Sequence, residues 1–404
     1  MADVLELPVW CGEVELDPRP STLPEPPARH FSQRLLLKLR GEPLGYATAP
    51  VGSPLKLEEA VAQLGAPARD RVRHAWADDG DHRPDPVPAT LRISVAVCTR
   101  ERPESLERCL QHLRRLNYPN TELLVVDNAP TSGRTRALVA SVQREDERVR
   151  YVHEPRPGLS RARNRAMHSA SGHVIAYTDD DVRVDERWLE GVALGFQRRK
   201  DVACVTGLVA TAGIETAVEA YFDARVSWAH VRPPRLFNLT DHRDDSSMYP
   251  YAAGLFGTGA NFAFRTSVLR ELGGFDEALG AGACTRGGED LDAFVRVLAA
   301  GHSIAHEPSA IVWHHHRAEL KELQQQMFSY GTGLSAFYVK HLVNPGTRRQ
   351  LMRVLPQGLA RLAAVPSASD SAAGPASLHR NLVLRELAGM AAGPFLYARA
   401  RRTA

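Results

Sequence analysis

Long apolar segments are missing from this 404-residue sequence. A membrane-spanning helix needs roughly 18 or more consecutive apolar residues, and no stretch of the chain approaches that length. The segment from Met1 to Leu7 also lacks the basic region and the apolar core of a secretory signal peptide. The sequence therefore indicates neither a spanning helix nor secretion, and it predicts a cytoplasmic location.

Cysteine is scarce, and neither sign of charge dominates. The cysteines are odd in number and none belongs to a Cys-x-x-Cys pair, so neither a zinc-thiolate site nor a disulfide framework is expected. They are Cys11, Cys98, Cys109, Cys204 and Cys284. The formal net charge is +3, which gives no indication of a nucleic-acid partner. We therefore expect reduced thiols in a folded protein that does not bind nucleic acid.

The first 90 residues are predicted to form a small α+β accessory module. Arg34–Arg40 and Tyr46–Val51 have the composition of two strands joined by a Gly/Pro turn. Leu55–Leu64 has the apolar spacing of a short helix. The polar, proline-rich segment Asp78–Pro88 is typical of a linker, and it separates this module from the rest of the chain.

From residue 91 onward, predicted strands alternate with predicted helices. The strands are Arg92–Cys98, Thr121–Asp127, Val149–His153 and His173–Thr178. The helices between them are Pro103–Leu116, Gly133–Gln143 and Ser160–Ala170. Apolar strands that alternate with amphipathic helices predict an α/β fold with a parallel sheet covered on both faces.

Polar residues follow three of these strands, where ligands bind in such sheets. They are Thr99-Arg100, Asp127-Asn128 and the acidic triplet Asp179-Asp180-Asp181. Three adjacent carboxylates repel one another, so a cation or several hydrogen-bond donors must neutralise them. The triplet therefore predicts a metal site. The alternative is an acidic turn that caps a helix beginning near Asp185.

Three later segments also carry chemically useful residues. The glycines Gly254, Gly257 and Gly259 allow close approach of a ligand to the backbone, or they simply form a flexible loop. The acids Glu289 and Asp290 begin a helix, where they either serve catalysis or match the helix dipole. The histidines His314 to His316 follow Trp313, and they supply a metal ligand or line a polar rim.

Seven short motifs occur in order along residues 92–316. They are Val95–Arg100, Leu124–Asn128, Gly158–Asn164, Tyr177–Asp181, Gly273–Asp276, Gly288–Asp290 and Trp313–His316. Each is weak alone, but their order and spacing resemble those of the family 2 glycosyltransferases. One departure is the sequence Asp127-Asn128-Ala129, where many members carry a second acid and Gly-Ser.

The resemblance implies an inverting enzyme with a GT-A fold, which is a Rossmann-like αβα domain, over residues 91–316. It implies a nucleotide-sugar donor and a carbohydrate, lipid-linked or small-molecule acceptor, as in polysaccharide biosynthesis. The implied donor-binding residues are Thr99, Arg100, Asp127, Arg163, Asn164, Asp179 and Asp180. The implied ligands of Mn²⁺ or Mg²⁺ are Asp181, Asp179 and His314. Asp290 corresponds to the catalytic base, and Glu289 is its neighbour.

The chemistry of sugar transfer explains why such residues are needed. A divalent ion stabilises the charge of a departing nucleoside diphosphate. A single carboxylate takes the proton of the attacking hydroxyl, and direct displacement inverts the configuration at the sugar. Two alternatives remain open, namely a metal-dependent nucleotidyltransferase or hydrolase and a non-catalytic nucleotide-sugar-binding protein.

The last 88 residues, 317–404, differ in charge from the rest of the chain. They contain 12 basic and 4 acidic residues, and they are predicted to be mostly helical, with helices over Leu320–Phe328 and Arg380–Met390. Helices that mix leucine with arginine lie on anionic membranes, which would place the protein at the inner membrane face. Such helices also cover the apolar flank of a domain, and the sequence leaves both interpretations open.

Overall fold

The computed structural model describes residues 5–51, 55–77, 91–364 and 376–402. The amino-terminal module contains the strands β1 (Val9–Glu15), β2 (Ser32–Leu39) and β3 (Glu42–Pro50) and the helices α1 (Leu57–Ala62) and α2 (Ala66–Ala77). The predicted pair of strands is confirmed as the antiparallel pair β2–β3, and the predicted helix as α1. Strand β1 was not predicted. The predicted linker lies outside the described residues.

The domain that the resemblance predicts to be catalytic, called the catalytic domain below, is built on a second, larger sheet. Its strands, together with the short strand β10, are β4 (Ile93–Thr99), β5 (Thr121–Asn128), β6 (Val149–Glu154), β7 (Val174–Asp179), β8 (Val182–Val184), β9 (Val202–Thr211), β10 (Gly213–Ile214), β11 (Arg235–Phe237), β12 (Asn261–Arg265) and β13 (Ser303–His314). The order across the sheet is β11-β13-β9-β12-β7-β4-β5-β6, and β8 pairs with β13. The predicted parallel arrangement is confirmed for β4 to β7.

Helices cover both faces of this sheet. They are α3 (Pro103–Leu113), α4 (Arg134–Gln143), α5 (Leu159–Ser169), α6 (Trp188–Gln197), α7 (Ala217–Arg225), α8 (Thr266–Glu271) and α9 (Glu289–Ala299). Successive side chains of a strand face opposite sides, so Val95 and Val97 of β4 pack in one core while Ala96 packs in the other. The central strands are therefore buried on both faces. Only their ends can reach a ligand.

The amino-terminal sheet is joined to the catalytic domain. Strand β10, which follows β9, pairs with β1 and becomes the fourth strand of the first sheet. Val9 and Leu36 of the module share a buried apolar cluster with Leu208 of β9 and Trp313 of β13. Burial of apolar surface at such a junction favours one fixed orientation of the two sheets.

Three helices follow the catalytic domain, namely α10 (Leu320–Val343), α11 (Pro345–Ala364) and α12 (Ala376–Ala400). The predicted helical character of this region is confirmed. Buried clusters join α10 to the catalytic domain through Phe337, and Lys340 contacts both Asp276 and Asp292 at 2.8 Å. In the described residues, no helix is long and apolar enough to cross a membrane. One face of these helices therefore covers the flank of the domain.

Glycine allows α10 to touch the turn that precedes α9. A Cβ atom at Gly333 would lie 2.7 Å from the carbonyl carbon of Gly287, and one at Gly288 would lie 2.5 Å from the oxygen of Gly333. Such distances are too short for any side chain. On the other side of α10, Gly389 of α12 approaches the backbone at Phe328 just as closely. Close backbone packing thus fixes α10 between the turn and α12.

We expect Gly333→Ala to destabilise the protein. The new methyl group would push α10 away from Gly287, at a cost of about 1–3 kcal/mol. This cost outweighs the gain of about 1 kcal/mol that alanine brings to a helix interior. The matched control is Gly346→Ala in α11, where the nearest atom is the side-chain oxygen of Asn344 at 3.3 Å. Urea unfolding of both variants measures the difference, and equal stabilities would contradict the close contact.

Candidate active site

Three parallel strands of the large sheet end at one edge, and each brings a polar group there. Thr99 at the end of β4 lies opposite Asp127 of β5, and Cys98 lies opposite Asp179 of β7. The carboxyl ends of parallel strands face the same side of a sheet, which is where α/β proteins bind their ligands. The structure therefore brings together the strand-end residues that the sequence pointed to.

The acidic triplet lies in the turn between β7 and β8. Helix α6 does not begin until Trp188, and the side chain that serves its start is Asp185, which accepts a hydrogen bond from the backbone N–H of Arg187 at 2.8 Å. The interpretation of the triplet as a helix cap is therefore wrong. Its carboxylates must be neutralised in another way.

Asp180 is neutralised by groups within the protein. Its Oδ2 accepts a hydrogen bond from the Thr99 hydroxyl at 2.6 Å, and its Oδ1 contacts Nη1 of Arg102 at 2.5 Å. Burial raises the pKa of Asp180, and these two partners oppose that rise. Asp180 thus ties the end of β4 to the acidic turn. The carboxylate of Asp180 and the hydroxyl of Thr99 are therefore already hydrogen-bonded within the protein.

Asp181 lies among three nitrogen-bearing side chains. Its carboxylate is 3.0 Å from Arg102, 3.6 Å from Nε2 of His314 and 3.8 Å from Arg317. The pairing of β8 with β13 creates this arrangement, because Val182 lies opposite His314. Burial lowers the pKa of His314 to about 4, so the imidazole is neutral near pH 7 and its lone pair can bind a metal.

Asp181 and His314 form a pair of donors that fits part of a metal site. A carboxylate oxygen and an imidazole nitrogen 3.6 Å apart can both bind one divalent ion. Within the described part of the chain, no group of three or more His, Cys, Asp or Glu side chains surrounds one point. Asp179, the other predicted ligand, contacts Arg163 at 3.8 Å. The protein therefore offers two of the ligands that such an ion needs.

Arg163 is a buried cation that connects two motifs far apart in the sequence. It is 3% exposed, its Nη1 donates to Glu289 at 2.8 Å, and its Nη2 donates to the carbonyl of Gly259 at 2.9 Å. The guanidinium also lies over the ring of Phe262, 5.0 Å from its centre. The resemblance implied a donor-binding role for Arg163. The structure places it beneath the site, where it holds Asp179 and Glu289 together.

Asp290 differs from the neighbouring acids because it has no ion pair among the described residues. Its Oδ1 accepts a hydrogen bond from the N–H of Leu291, and its other oxygen lies 3.2 Å from where a Cβ of Gly259 would be. The position of Asp290 depends on Gly288, whose φ of 90° suits glycine. Glycine at 259 therefore leaves room beside a carboxylate that is partly exposed and has no ion pair among the described residues.

On the side of the site formed by β5 and β6, polar side chains hydrogen-bond to one another or to the backbone. The Tyr151 hydroxyl donates to Oδ2 of Asp127 at 2.9 Å, while the buried Oδ1 of Asp127 has no partner. Burial raises the pKa of Asp127. The side chain of Asn128 bonds the carbonyl of Arg156 and the N–H of Gly158, so it holds the loop before α5. The unpartnered oxygen of Asp127 remains available to a ligand.

Two other predicted donor-binding residues differ in environment. Asn164 bonds the backbone of Phe275 through both ends of its amide, donating at 2.9 Å and accepting at 2.7 Å. Asn164 therefore fixes the turn Gly273–Asp276. Both the amide nitrogen and the amide oxygen of its side chain are already hydrogen-bonded. Arg100, in contrast, is exposed at the end of β4 and has no ion pair in the described structure. It is free to meet an anionic ligand.

The third histidine connects the site to the amino-terminal module. His316 is buried, and its Nε2 lies 3.2 Å from the hydroxyl of Thr211 and 3.5 Å from Asp223. Arg34 of β2 donates to the other oxygen of Asp223 at 2.8 Å. The Arg34 guanidinium and the His316 imidazole, both close to Asp223, hold the pKa of that carboxyl low against the effect of burial. The module thus supports the segment that carries His314.

Several residues of the site were missed by sequence reasoning. They are Arg34, Arg102, Tyr151, Asp223 and Arg317. Arg102 had a local signal, because it directly precedes the proline at the start of α3 and follows a strand that ends in the site. Arg317 also had one, because it directly follows the histidines His314 to His316. The remaining three had none, since only the packing of distant segments brings them to their partners.

We expect Arg163→Met to destabilise the protein strongly. It would leave Glu289, which is 6% exposed, without its cation, and removing one partner of a buried ion pair costs about 3–5 kcal/mol. The control is Arg161→Met on the same helix. Arg161 pairs with the half-buried Glu277 at 2.9 Å, and a partly exposed pair contributes about 0–1 kcal/mol. Urea unfolding compares the two, and a similar small loss in both would refute the buried role of Arg163.

Comparisons with known proteins identify the family. The sequence model of glycosyl transferase family 2 matches residues 94–273. The succinoglycan biosynthesis protein ExoM of Rhizobium meliloti is 32% identical over 254 residues, which cover 60% of this chain and 74% of ExoM. The pre-mycofactocin glycosyltransferase of Mycobacterium tuberculosis is 25% identical over 259 residues, which cover 64% of this chain and half of that protein.

A solved structure is also similar. The mannosyltransferase PcManGT from Pyrobaculum calidifontis, in complex with GDP-Man and Mn²⁺, has a TM-score of 0.48 and 20% identity over 77% of this chain and 87% of its own. The family assignment depends on the sequence matches, together with the strand-end acids and the ordered motifs. The chain belongs to the family 2 glycosyltransferases, and it is a sugar-transferring enzyme with an α/β catalytic domain.

Proposed function

We propose that this enzyme transfers a sugar, with inversion, from a nucleoside-diphosphate donor to a hydroxyl group in a metal-dependent reaction. The observation that carries the proposal is the contrast among the acids of the site. The carboxylates of Asp179, Asp180, Asp181 and Glu289 all contact arginine, whereas Asp290 has no ion pair among the described residues. A partly exposed, unpaired carboxylate is free to accept a proton.

The donor would bind along the edge where β4, β5 and β7 end. The unpartnered oxygen of Asp127 is available to a sugar or ribose hydroxyl, and Tyr151 fixes the orientation of that carboxyl group. Arg100 is exposed and unpaired among the described residues, so it can meet phosphate oxygens. Together, Asp127, Tyr151 and Arg100 support a binding position for the nucleotide on the β4–β5 side of the site. The residues Thr99, Asn164 and Arg163 support its walls.

Asp181 and His314 would hold a divalent ion, Mn²⁺ or Mg²⁺. When bound, such an ion stabilises negative charge on a departing diphosphate. Oxygen ligands suit both ions, and the neutral imidazole of His314 adds a nitrogen ligand. Arg102 and Arg317 already lie beside Asp181, so they provide further positive charge at the place where the leaving group becomes anionic.

Asp290 would act as the base that takes the proton of the acceptor hydroxyl. Glu289 cannot share this task, because it is buried and its carboxylate is paired with Arg163. A single base opposite the leaving group gives direct displacement, so the configuration at the anomeric carbon inverts. Tyr330 lies near this side and accepts a hydrogen bond from Gln326 at 3.0 Å. Its partly exposed ring offers a surface on which a sugar acceptor can stack.

The acceptor is proposed to be a carbohydrate, a lipid-linked saccharide or a small molecule. ExoM, by its name, serves the biosynthesis of succinoglycan, and its similarity to this chain supports a role in polysaccharide assembly. A second class of function, nucleotide hydrolysis or nucleotidyl transfer, would turn over the nucleotide substrate without a saccharide acceptor. The requirement for a saccharide acceptor therefore separates the two classes.

Asp290→Asn is expected to abolish most sugar transfer while donor binding is kept. Loss of a general base lowers turnover by roughly 10²–10⁴-fold, and the amide retains the shape of the side chain. Single-turnover assays with a nucleotide-sugar pool and saccharide acceptors measure transfer, and calorimetry measures binding. The control is Asp70→Asn on an exposed part of α2. Turnover close to that of the control, or turnover without any acceptor, would contradict the assignment.

Asp181→Asn is expected to weaken nucleotide binding only when metal is present. Thermal unfolding with UDP or GDP, with and without Mn²⁺, first identifies the nucleotide, because a bound ligand raises stability according to its affinity. Calorimetry then compares the variant with the wild-type chain. We expect a loss of at least about tenfold in the Mn²⁺-dependent affinity, which is the usual scale for damage to a metal site. Unchanged Mn²⁺-dependent affinity would remove Asp181 from this role.

A further inference from the structure

The outer surface of α12 is unusual because apolar side chains there are exposed to solvent. Among the described residues, eight large apolar side chains are exposed, and seven of them lie in the three carboxyl-terminal helices. On α12 these are Leu384 at 53%, Leu387 at 51% and Phe395 at 79% exposure. Single exposed apolar residues are ordinary on protein surfaces, but a concentration on one helix usually marks an interaction site.

These side chains form a continuous stripe along the helix. At 100° per residue, Leu384, Leu387 and Phe395 fall within about 80° of one another, with the exposed Ala391 and Ala398 between and beyond them. The opposite face packs on α10, where Gly389 and Gly393 touch its backbone. The stripe is therefore an outward face that folding leaves uncovered, because the inner face of α12 already supplies the packing.

The charges around the stripe all have one sign. The exposed arginines are Arg380, Arg385, Arg399, Arg401 and Arg402, and none of them has an ion pair within the described residues. The one acid on this helix between residues 379 and 402, Glu386, is partly buried and is paired with Arg225 of α7. The described part of α12 thus presents unpaired positive charge beside apolar side chains, and its one acid is already paired with Arg225.

From this combination we infer that the outer face of α12 docks on an anionic membrane surface. The leucines and Phe395 enter the boundary between headgroups and acyl chains, and the arginines contact lipid phosphates. Long arginine side chains suit this geometry because they reach the headgroups while their stems cover apolar surface. A protein partner would need a matching acidic groove, whereas anionic lipids supply the opposite charge over the whole length of the helix. The inference does not depend on the proposed sugar transfer.

The test uses the full chain and sedimentation with vesicles. We compare vesicles of phosphatidylcholine alone with vesicles that also contain phosphatidylglycerol, at low and high salt. The chain is expected to bind the anionic vesicles, and high salt should weaken the binding because it screens the arginines. The double variant Arg385→Glu/Arg399→Glu should lower this affinity by at least about tenfold, since each basic residue near an anionic surface adds to the attraction.

Two further variants separate the contribution of the apolar stripe from that of net charge. Phe395→Ser should also reduce vesicle binding, since it removes the most exposed apolar side chain of the stripe. The control is Arg108→Glu/Arg115→Glu, on α3 and just after its end, which makes the same change in net charge at exposed positions of the catalytic domain. Unfolding midpoints and circular dichroism confirm that each variant is folded.

Other results would overturn the inference. Equal loss in the α3 control would mean that net charge alone drives the binding. Equal binding to neutral vesicles, or no binding at all, would exclude an anionic surface as the partner. If ultracentrifugation instead shows a dimer that Phe395→Ser dissociates, and no vesicles are bound, then the stripe joins two copies of the chain.

Discussion

A buried guanidinium determines how the two halves of the site meet. Arg163 lies on α5, and its contacts reach Asp179 at the end of β7 and Glu289 at the start of α9. An isolated buried charge is costly, so the arginine and the acids stabilise one arrangement in which all of them are compensated. Arg163 thus fixes the distance between the end of the sheet and the helix that carries Asp290. The carboxylate of Asp290 stays without an ion pair among the described residues because the neighbouring Arg163 and Glu289 are paired with each other.

The carboxyl-terminal helices extend this constraint outward. The glycine contacts between Gly288 and Gly333 place α10 directly against the turn that precedes Glu289 and Asp290 of α9, and α12 packs on the far side of α10. Packed helices lie about 10 Å apart, so the apolar stripe of α12 is one helix layer away from that turn. A membrane-bound α12 would therefore bring the acceptor side of the site close to the lipid surface.

Much of the catalytic domain could be predicted from the sequence. Strands β4 to β7 and helices α3 to α5 were predicted to within a few residues, because apolar runs and helical spacing alternate regularly there. The site was predicted in part, since acids that follow buried strands must lie at one edge. The individual roles were harder to assign. Asn164 hydrogen-bonds the backbone of Phe275, and Thr99 hydrogen-bonds Asp180. No local sequence pattern reveals either contact.

Long-range pairing explains the remaining gaps. Strand β1 was missed because Val9–Glu15 alternates weakly, and it becomes a central strand only when β10 pairs with it. The ion pair of Arg34 with Asp223 was likewise hidden, because nothing near Arg34 in the sequence indicates a buried acid. The outward face of α12 was open to two interpretations for the same reason. Its closest contacts with α10 are made by Gly389 and Gly393, and glycine gives little signal in a helical pattern.

The link from Arg34 to Asp223 also affects how the chain must fold. The two residues are 189 positions apart, so Arg34 finds its partner only after much of the catalytic domain has emerged from the ribosome. Until then, one edge of β1 has no neighbouring strand, and an open edge is prone to pair with other chains. Contacts of such high sequence separation form late and slowly. The pairing of β1 with β10 is therefore expected to form only after a distant segment has been made, and until then the open edge of β1 is exposed to aggregation.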